Sequence, residues 1–479
     1  MNKNLPFVGR KQELAQLESK NKNPGAQLVV IRGRRRIGKS RLVKEFAKNK
    51  SLLTFEGLFP DEGINAQQQR EHFSTQLEQQ LGTPKLAANN WSDLFFSLTN
   101  LTKGKNVIIL FDEITWMADK DPTFLPKLKV AWDEHFKQNN SMMLILCGSI
   151  SSWIDKNILN SSGFLGRITQ RITLNQLALN EMKELMVRRG TKGSSIELLN
   201  AFAITGGVPW YIELFQSKSS INDSIKQLCF TADGILANEF QQIFNDLFKN
   251  RSPIYHKIVI SVSNRKLTQS EIAEKINYSN GTQLGSYLND LETAGFIARD
   301  EIWSFKTALS KKQVQFRLKD SYLRFYLKYI EPRKNRISKG DFEGENGADI
   351  PNFSSIMGLQ FENLVLNNRM LIINNLGLTR NDIVFDNPYF QNATKQINAC
   401  QIDYLIQTRT NTLYLCEIKF SKNEIGKQII PELKTKIKSL KMPKQFTCLP
   451  VLIHVSGISE ELENSEYFYK TVDFSQFLN

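Results

Sequence analysis

The sequence predicts a multidomain α/β protein. A parallel-sheet core comes first, a helix–turn–helix module with a hairpin follows, and a second α/β domain closes the chain. Three observations carry this expectation. "LVVIRGRRRIGKS" joins a β-prone run to a glycine-punctuated basic loop, "NVIILFDE" ends an apolar run on two acids, and "YLCEIKF" sets Glu417 and Lys419 inside a second β-prone run. A chain of 479 residues is too long for one ordinary core. Changes in pattern place the core at 1–175, a following segment at 176–250, the helix–turn–helix module at 251–330, a linker at 331–352 and the last domain at 353–479.

In the first domain, "LVVI" (28–31) suits a buried parallel strand, and the following loop fits G-x-x-x-x-G-K-[ST]. Its members are Gly33, Arg34, Arg35, Arg36, Ile37, Gly38, Lys39 and Ser40, and "RLVKEFAKNK" continues as an amphipathic helix. Such a loop turns its backbone N–H groups and the helix N-terminus toward phosphate oxygens. Lys39 is expected to reach the β- and γ-phosphates and Ser40 to bind Mg²⁺. Asp112, at the end of "NVIILFDE", would hold the same Mg²⁺, and Glu113 would polarise the attacking water. A third apolar run, "MMLILCGS", ends in Ser149, which is either a γ-phosphate sensor or a turn serine. No N/T-K-x-D segment follows that run, so ATP is expected in preference to GTP.

In the middle, "QSEIAEKI" reads as a short helix with Ile272, Ala273 and Ile276 on one face. "NYSNG" is a turn, and "TQLGSYLNDLETAGFI" a second helix whose outward face would carry Asn289, Asp290 and Glu292. A β-prone return, "QVQFRL", follows a basic "SKK". This order resembles a winged helix, which implies a helix in the DNA major groove and a wing on phosphates, although the acidic outward face speaks for a protein-docking module instead. The polar, aperiodic stretch up to 352 reads as a connector.

In the last domain, alternation puts Glu417 and Lys419 on one face of a strand and Cys416 and Ile418 on the other. "QIDYLIQTRTNT" supplies a neighbouring strand that brings Asp403 beside Glu417. The helix "MGLQFENLVLNNRM" has Leu359, Val365 and Leu366 on its apolar stripe, with Glu362 on the same side. Three carboxylates and a lysine converging on a dry sheet call for a balancing cation, and hard oxygen ligands suit Mg²⁺ or Mn²⁺. Lys419 would position or deprotonate the metal-activated water. The plain alternative is a Glu–Lys pair on a sheet edge.

The composition bounds these readings. Lys and Arg total 62 against 48 Asp and Glu, a net charge of +14. That surplus favours a polyanionic partner, nucleic acid before a membrane surface, and no apolar run approaches transmembrane length. Five scattered cysteines and four histidines without ligand-like spacing argue for reduced thiols and against structural zinc. "MNKNLPFVGR" has no signal-peptide core, so a cytoplasmic protein is expected.

Two family resemblances attach to these residues. "PFVGRKQELAQLE" resembles the h-h-G-R-x-x-E segment that AAA+ and STAND ATPases place beside adenine, and "TGGVPWYIELF" resembles the G-x-P element of their lid. Together they resemble the archaeal-type ATPase family, which implies a RecA/AAA+-like core with a helical lid at 176–250. That resemblance also implies a γ-phosphate role, on the bound or a neighbouring nucleotide, for Arg167 in "GFLGRITQR". The Pro-Leu-Tyr lead is missing and Arg171 follows closely, so a surface arginine is the alternative, and a homo-oligomer stays open. The order helix Glu362, strand Asp403, strand Glu417-x-Lys419 is similar to the PD-(D/E)XK (restriction-endonuclease-like) superfamily, a domain found in one branch of those ATPases. Asp403 follows Ile402 and not proline, as in many members. The resemblance implies a metal-dependent nuclease acting on DNA. Its rivals are a signalling ATPase with a non-catalytic C-terminal domain and an ATP-controlled winged-helix regulator.

Overall fold

The computed structural model describes residues 7–478 except 61–62, 88, 150–151, 249–251, 306, 308, 343–352, 392 and 394–397. They fall into two compact units, Phe7–Gln176 and Leu177–Asn479.

The first unit is built on five strands: β1 (Gln27–Gly33), β2 (Leu52–Glu56), β3 (Val107–Asp112), β4 (Met142–Ser149) and β5 (Gln170–Leu174). All neighbours pair parallel, in the order β2-β3-β4-β1-β5. Parallel sheets need cover on both faces, which is why these strands read as continuous apolar runs and every residue of β3 is buried. An aromatic cluster fills one face: Phe73 stacks on Phe55 at 4.4 Å between ring centres and meets Trp91 and Phe111 edge-on. Because β4 lies between β1 and β3, the loop after β1 and the acids after β3 emerge at the same C-terminal edge, where open α/β sheets hold their ligands.

The second unit opens with helices Leu179–Arg188, Ser195–Thr205, Pro209–Glu213, Ile221–Cys229 and Ile235–Phe248. Ser194 and Glu197 form a capping box on the second, Gly206 ends it at φ 60°, and Pro209 occupies the first turn of the third. Three more helices (Ser252–Ser261, Gln269–Lys275, Thr282–Thr293) lead into an antiparallel hairpin, β6 (Ile297–Ser304) with β7 (Leu309–Leu318). The side chains of residues 310–312, the expected basic tip, lie outside those described.

Next come a helix at Phe353–Asn367, an antiparallel meander of β8 (Ile383–Gln391), β9 (Cys400–Thr408) and β10 (Thr412–Ile418), a helix at Ile429–Ser439, then β11 (Thr447–His454) and β12 (Lys470–Asp473). The order is β12-β11-β10-β9-β8, and β11 runs parallel to β10. A parallel neighbour needs a crossover, and Ile429–Ser439 supplies it.

Four expectations need correction. The hairpin is not a free wing: Trp303 of β6 stacks on Phe385 of β8, Phe305 on Tyr389, and Trp303 Nε1 donates to Gln407 Oε1 at 2.5 Å. Asp290 does not face outward; it is buried and accepts from the Tyr255 hydroxyl at 2.5 Å. The described part of the expected linker is ordered as short helices at Glu331–Arg333 and Lys334–Ser338, with Ile337 and Phe342 buried. Leu359 is 40% exposed, and the buried stripe of its helix runs through Met357, Phe361, Leu364 and Val365. The lid and this helix also pack directly, since Gln360 donates to Ala203 O and Ser321 O at 2.8 Å each.

Candidate functional site

The nucleotide-binding candidates gather at one edge of the first sheet. Gly33 ends β1 opposite Ser149 of β4, and the helix Lys39–Phe46 starts immediately after Gly38. Gly38 sits at φ 92°, where a side chain would be strained, and Arg36 adopts the left-handed region at φ 65° despite its Cβ. Such a conformation costs an ordinary residue about 1–2 kcal/mol and concentrates in ligand-binding loops. A Cβ on Gly33 would come within 2.7 Å of Ile37 Cγ2, so glycine lets the loop fold onto its strand. Arg34 and Ile37 are buried, and Arg10 is buried beside the loop, its Nη2 donating to Ile37 O at 3.4 Å.

Lys39 is 5% exposed; its Nζ donates to Gly33 O at 3.4 Å and stands 3.9 Å from Glu113 Oε1. Both contacts are long, which leaves the ammonium ready to exchange them for phosphate oxygens. Glu113 also adopts a left-handed conformation, φ 50°, and its Oε2 is buried without a hydrogen-bond partner. Burial raises its carboxyl above the ordinary range, Lys39 opposes that, and Asp112 adds to it. A buried basic oxygen with no donor of its own fits a group that takes a proton from water. Asp112 is buried at the end of β3, with Glu56 of β2 opposite it. This donor set fits a nucleotide-bound Mg²⁺, which Ser40 and Asp112 would hold; when bound, the ion neutralises charge on the phosphate oxygens.

Arg167 does not join this cluster. β5 pairs Leu174 with Gly33 and Gln170 with Val29, and the Thr169 amide donates to Leu28 O. The register therefore puts Arg167 beyond the opposite edge of the sheet, on the order of 15 Å from Gly33 along the strands. Its guanidinium forks onto Asp133, with Nε and Nη2 each 2.8 Å from a carboxylate oxygen. That bond holds the Asp133 carboxyl down at about 2. A role for Arg167 on the nucleotide of its own core is excluded by this placement.

The C-terminal candidates converge on β9 and β10. Their register pairs Cys416 with Tyr404, so Glu417 faces Asp403 one step further, and the Ile418 amide donates to Asp403 Oδ2 at 3.1 Å. Glu417 is 1% exposed. Lys436 Nζ, from the crossover helix, reaches its two oxygens at 2.8 and 2.7 Å, and Lys419 Nζ reaches Oε1 at 2.9 Å. Glu432 bridges the same two lysines at 3.2 and 3.6 Å. Burial, then the Glu417 charge, then the Glu362 charge push the Asp403 carboxyl up to about 7. Glu362 is half-buried on the helix Phe353–Asn367.

The expected three-carboxylate cage is not drawn together. Among the described residues, no group of three or more His, Cys, Asp or Glu side chains is positioned to hold a metal ion. The reason is Lys436, which turns Glu417 toward the crossover helix. The donors are chemically right for Mg²⁺ or Mn²⁺, but Glu417 would have to exchange lysines for the ion. Lys436 was not among the sequence candidates; its one signal is the i,i+4 pair Glu432–Lys436 on an amphipathic helix directly after the E-x-K strand. Among the described residues, no helix is long and apolar enough to cross a membrane.

Comparison with known proteins bears on the first unit of the chain. Residues 7–215 match a family described as an ATPase domain predominantly from Archaea. The uncharacterized protein MJECL04 of Methanocaldococcus jannaschii is 27% identical over 357 residues, covering 74% of this chain and 75% of that protein. An uncharacterized ATP-binding protein of the same organism, MJ0423, is 48% identical over 46 residues, 10% of this chain and 78% of its own length. The Walker-type ATPase paby2304 of Pyrococcus abyssi shares the fold, with a TM-score of 0.52 at 17% identity over 67% of this chain and 96% of its own. Through residues 7–215, then, the chain matches an ATPase domain found predominantly in Archaea, and the loop from Gly33 to Ser40 and the acids Asp112 and Glu113 lie within the matched residues.

Proposed function

We propose that the ATPase core governs a C-terminal metal-dependent nuclease that acts on DNA. One observation carries this reading: Asp403 and Glu417 face each other across adjacent strands at the end of a mixed sheet, beside Lys419 and within electrostatic reach of Glu362. A carboxyl whose titration is raised toward neutral pH by burial and then by neighbouring acids binds a dication with release of its proton. Asp403 and Glu417 would hold Mg²⁺ or Mn²⁺, Glu362 would steady it, and Lys419 would orient the attacking water. When bound, the ion activates that water and stabilises charge on the phosphodiester. In the core, Lys39 and Ser40 bind the ATP phosphates, Asp112 shares the Mg²⁺ with Ser40, and Glu113 serves as the base.

The test is plasmid incubated with the full chain under Mg²⁺ or Mn²⁺, with and without ATP. The wild type should nick; Glu417→Gln should abolish nicking and retain ATP hydrolysis.

A second reading, a signalling ATPase whose C-terminal domain only binds a partner, is favoured by the two lysines that already neutralise Glu417. ATP hydrolysis with no nicking under either metal would select it. A regulator with its wing on DNA phosphates is disfavoured, because the hairpin buries Trp303 against β8 and β9.

A further inference from the structure

The second unit contains a cavity of about 560 Å³ that none of the roles above uses. It lies between the loop preceding Gln269–Lys275, strand β7 and the C-terminal sheet. Lys266, Arg317 and Arg324 line it, with Arg265 toward solvent. Against these cations stands Glu362, since Asp300 is already paired with Arg317 at 3.0 Å. Lys266 makes no hydrogen bond or ion pair among the described residues. Arg324 Nε is buried without a partner, and its Nη1 has only a 3.4 Å contact to Leu318 O. Lys266 and Arg324 are half-buried, cations withdrawn from water with little counter-charge are costly to fold around, and burial lowers the proton affinity of both. The opposite wall offers a half-buried Phe390 and the exposed Leu359.

The cavity also has a direction. Ala399, Cys400 and Gln401 line both it and a neighbouring cavity of about 370 Å³, and that second space is lined by Asp403 and Lys436. A ligand that is anionic along one side and flat and apolar along the other suits such a passage. Its volumes suit about one or two nucleotides and not a duplex. Cations tracking phosphates beside an aromatic surface form the usual receptor for single strands.

We propose that this cavity binds the sugar–phosphate backbone of a single DNA strand, with Lys266 and Arg324 on its phosphates, and delivers it to Asp403. The proposal deepens the nuclease reading and rests on it for what happens at Asp403; binding itself does not.

Binding of a short dye-labelled single-stranded DNA to the full chain, followed by fluorescence anisotropy in EDTA so that nothing is cut, tests the proposal. Lys266→Ala should weaken binding by about tenfold and lower the slope of log affinity against log salt by about one. Arg265→Ala, on a side chain 71% exposed, should weaken binding in the same direction without threatening the fold. Arg299→Ala, an exposed cation of β6 outside the cavity lining, should stay within about twofold of wild type. Unchanged binding in Lys266→Ala and Arg265→Ala, or an equal loss in Arg299→Ala, would overturn the proposal. So would a duplex of the same sequence binding more tightly than the single strand, or competition by inorganic phosphate where the strand itself does not bind. The two readings fail separately. Strand binding that depends on Lys266 in a protein that never nicks DNA sinks the nuclease and keeps the cavity; nicking unaffected by Lys266→Ala keeps the nuclease and sinks the cavity.

Discussion

Lys436 holds both carboxylate oxygens of Glu417, at 2.8 and 2.7 Å, from a helix that begins eleven residues after the strand ends. Glu417 is almost wholly buried and Lys436 is 22% exposed, so the pair is screened far less than a surface one. Lys436→Ala should destabilise the apo-protein by about 2–4 kcal/mol, since it leaves a buried carboxylate with only Lys419 to balance it. Added Mn²⁺ should restore part of that loss by occupying the vacated side of Glu417. Denaturant melts of both proteins, with and without Mn²⁺, read this directly.

Asp403 sets a pH dependence of definite sign. Its carboxyl titrates at about 7 in the fold against an ordinary 3.8, so the folded chain binds that proton more tightly than the unfolded chain. The associated stability is fully present below about pH 4 and is lost as pH rises toward about 7. Asp403→Asn keeps an acceptor for the Ile418 amide and carries no charge. In EDTA it should exceed wild type by about 4 kcal/mol at pH 8, with the gain fading toward pH 4. A gain that is constant across this range would show that Asp403 does not titrate there.

In the ATPase core, binding and chemistry should separate. Lys39→Ala should remove the rise in melting temperature produced by ATP, because the phosphates lose their cation. Glu113→Gln should keep that rise and lower hydrolysis by about 10²–10⁴-fold, because an amide cannot accept the proton from water. GTP should raise the melting temperature less than ATP does.

Arg167→Ala should leave ATP affinity unchanged, because the register sets it at the far edge of the sheet. Its effect should appear at low pH instead. Asp133, held at about 2 by Arg167, adds stability above its ordinary value of 3.8 that is lost as pH falls toward 2. Without Arg167 that contribution largely disappears, and acid unfolding should begin at a higher pH. Weakened ATP binding by the isolated chain would contradict this.

The core strands were legible because parallel strands buried on both faces leave uninterrupted apolar runs, and the loop from Gly33 to Ser40 is written contiguously. The facing of Asp403 and Glu417 was legible too, since a short polar turn fixes the register of two adjacent strands. Lys436 was not, because its approach to Glu417 depends on how a crossover helix lies over the sheet, which no local spacing encodes. Asp290 misled for a related reason: helical periodicity marks it as outward, and only the Tyr255 hydroxyl from another helix makes a buried aspartate tolerable. Trp303 and Phe305 alternate as they would in a free hairpin, so their docking left no trace in the pattern.

That docking turns the hairpin into a splint. With Trp303 stacked on Phe385 and pinned to Gln407, the helix–turn–helix module cannot swing away from the C-terminal sheet without tearing an aromatic seam. Any force delivered to the three helices before β6 is therefore transmitted to β8 and β9 and not dissipated in a loose joint. Trp303, wholly buried, also serves as a built-in strain gauge, because its emission would shift to the red the moment that seam opened to water.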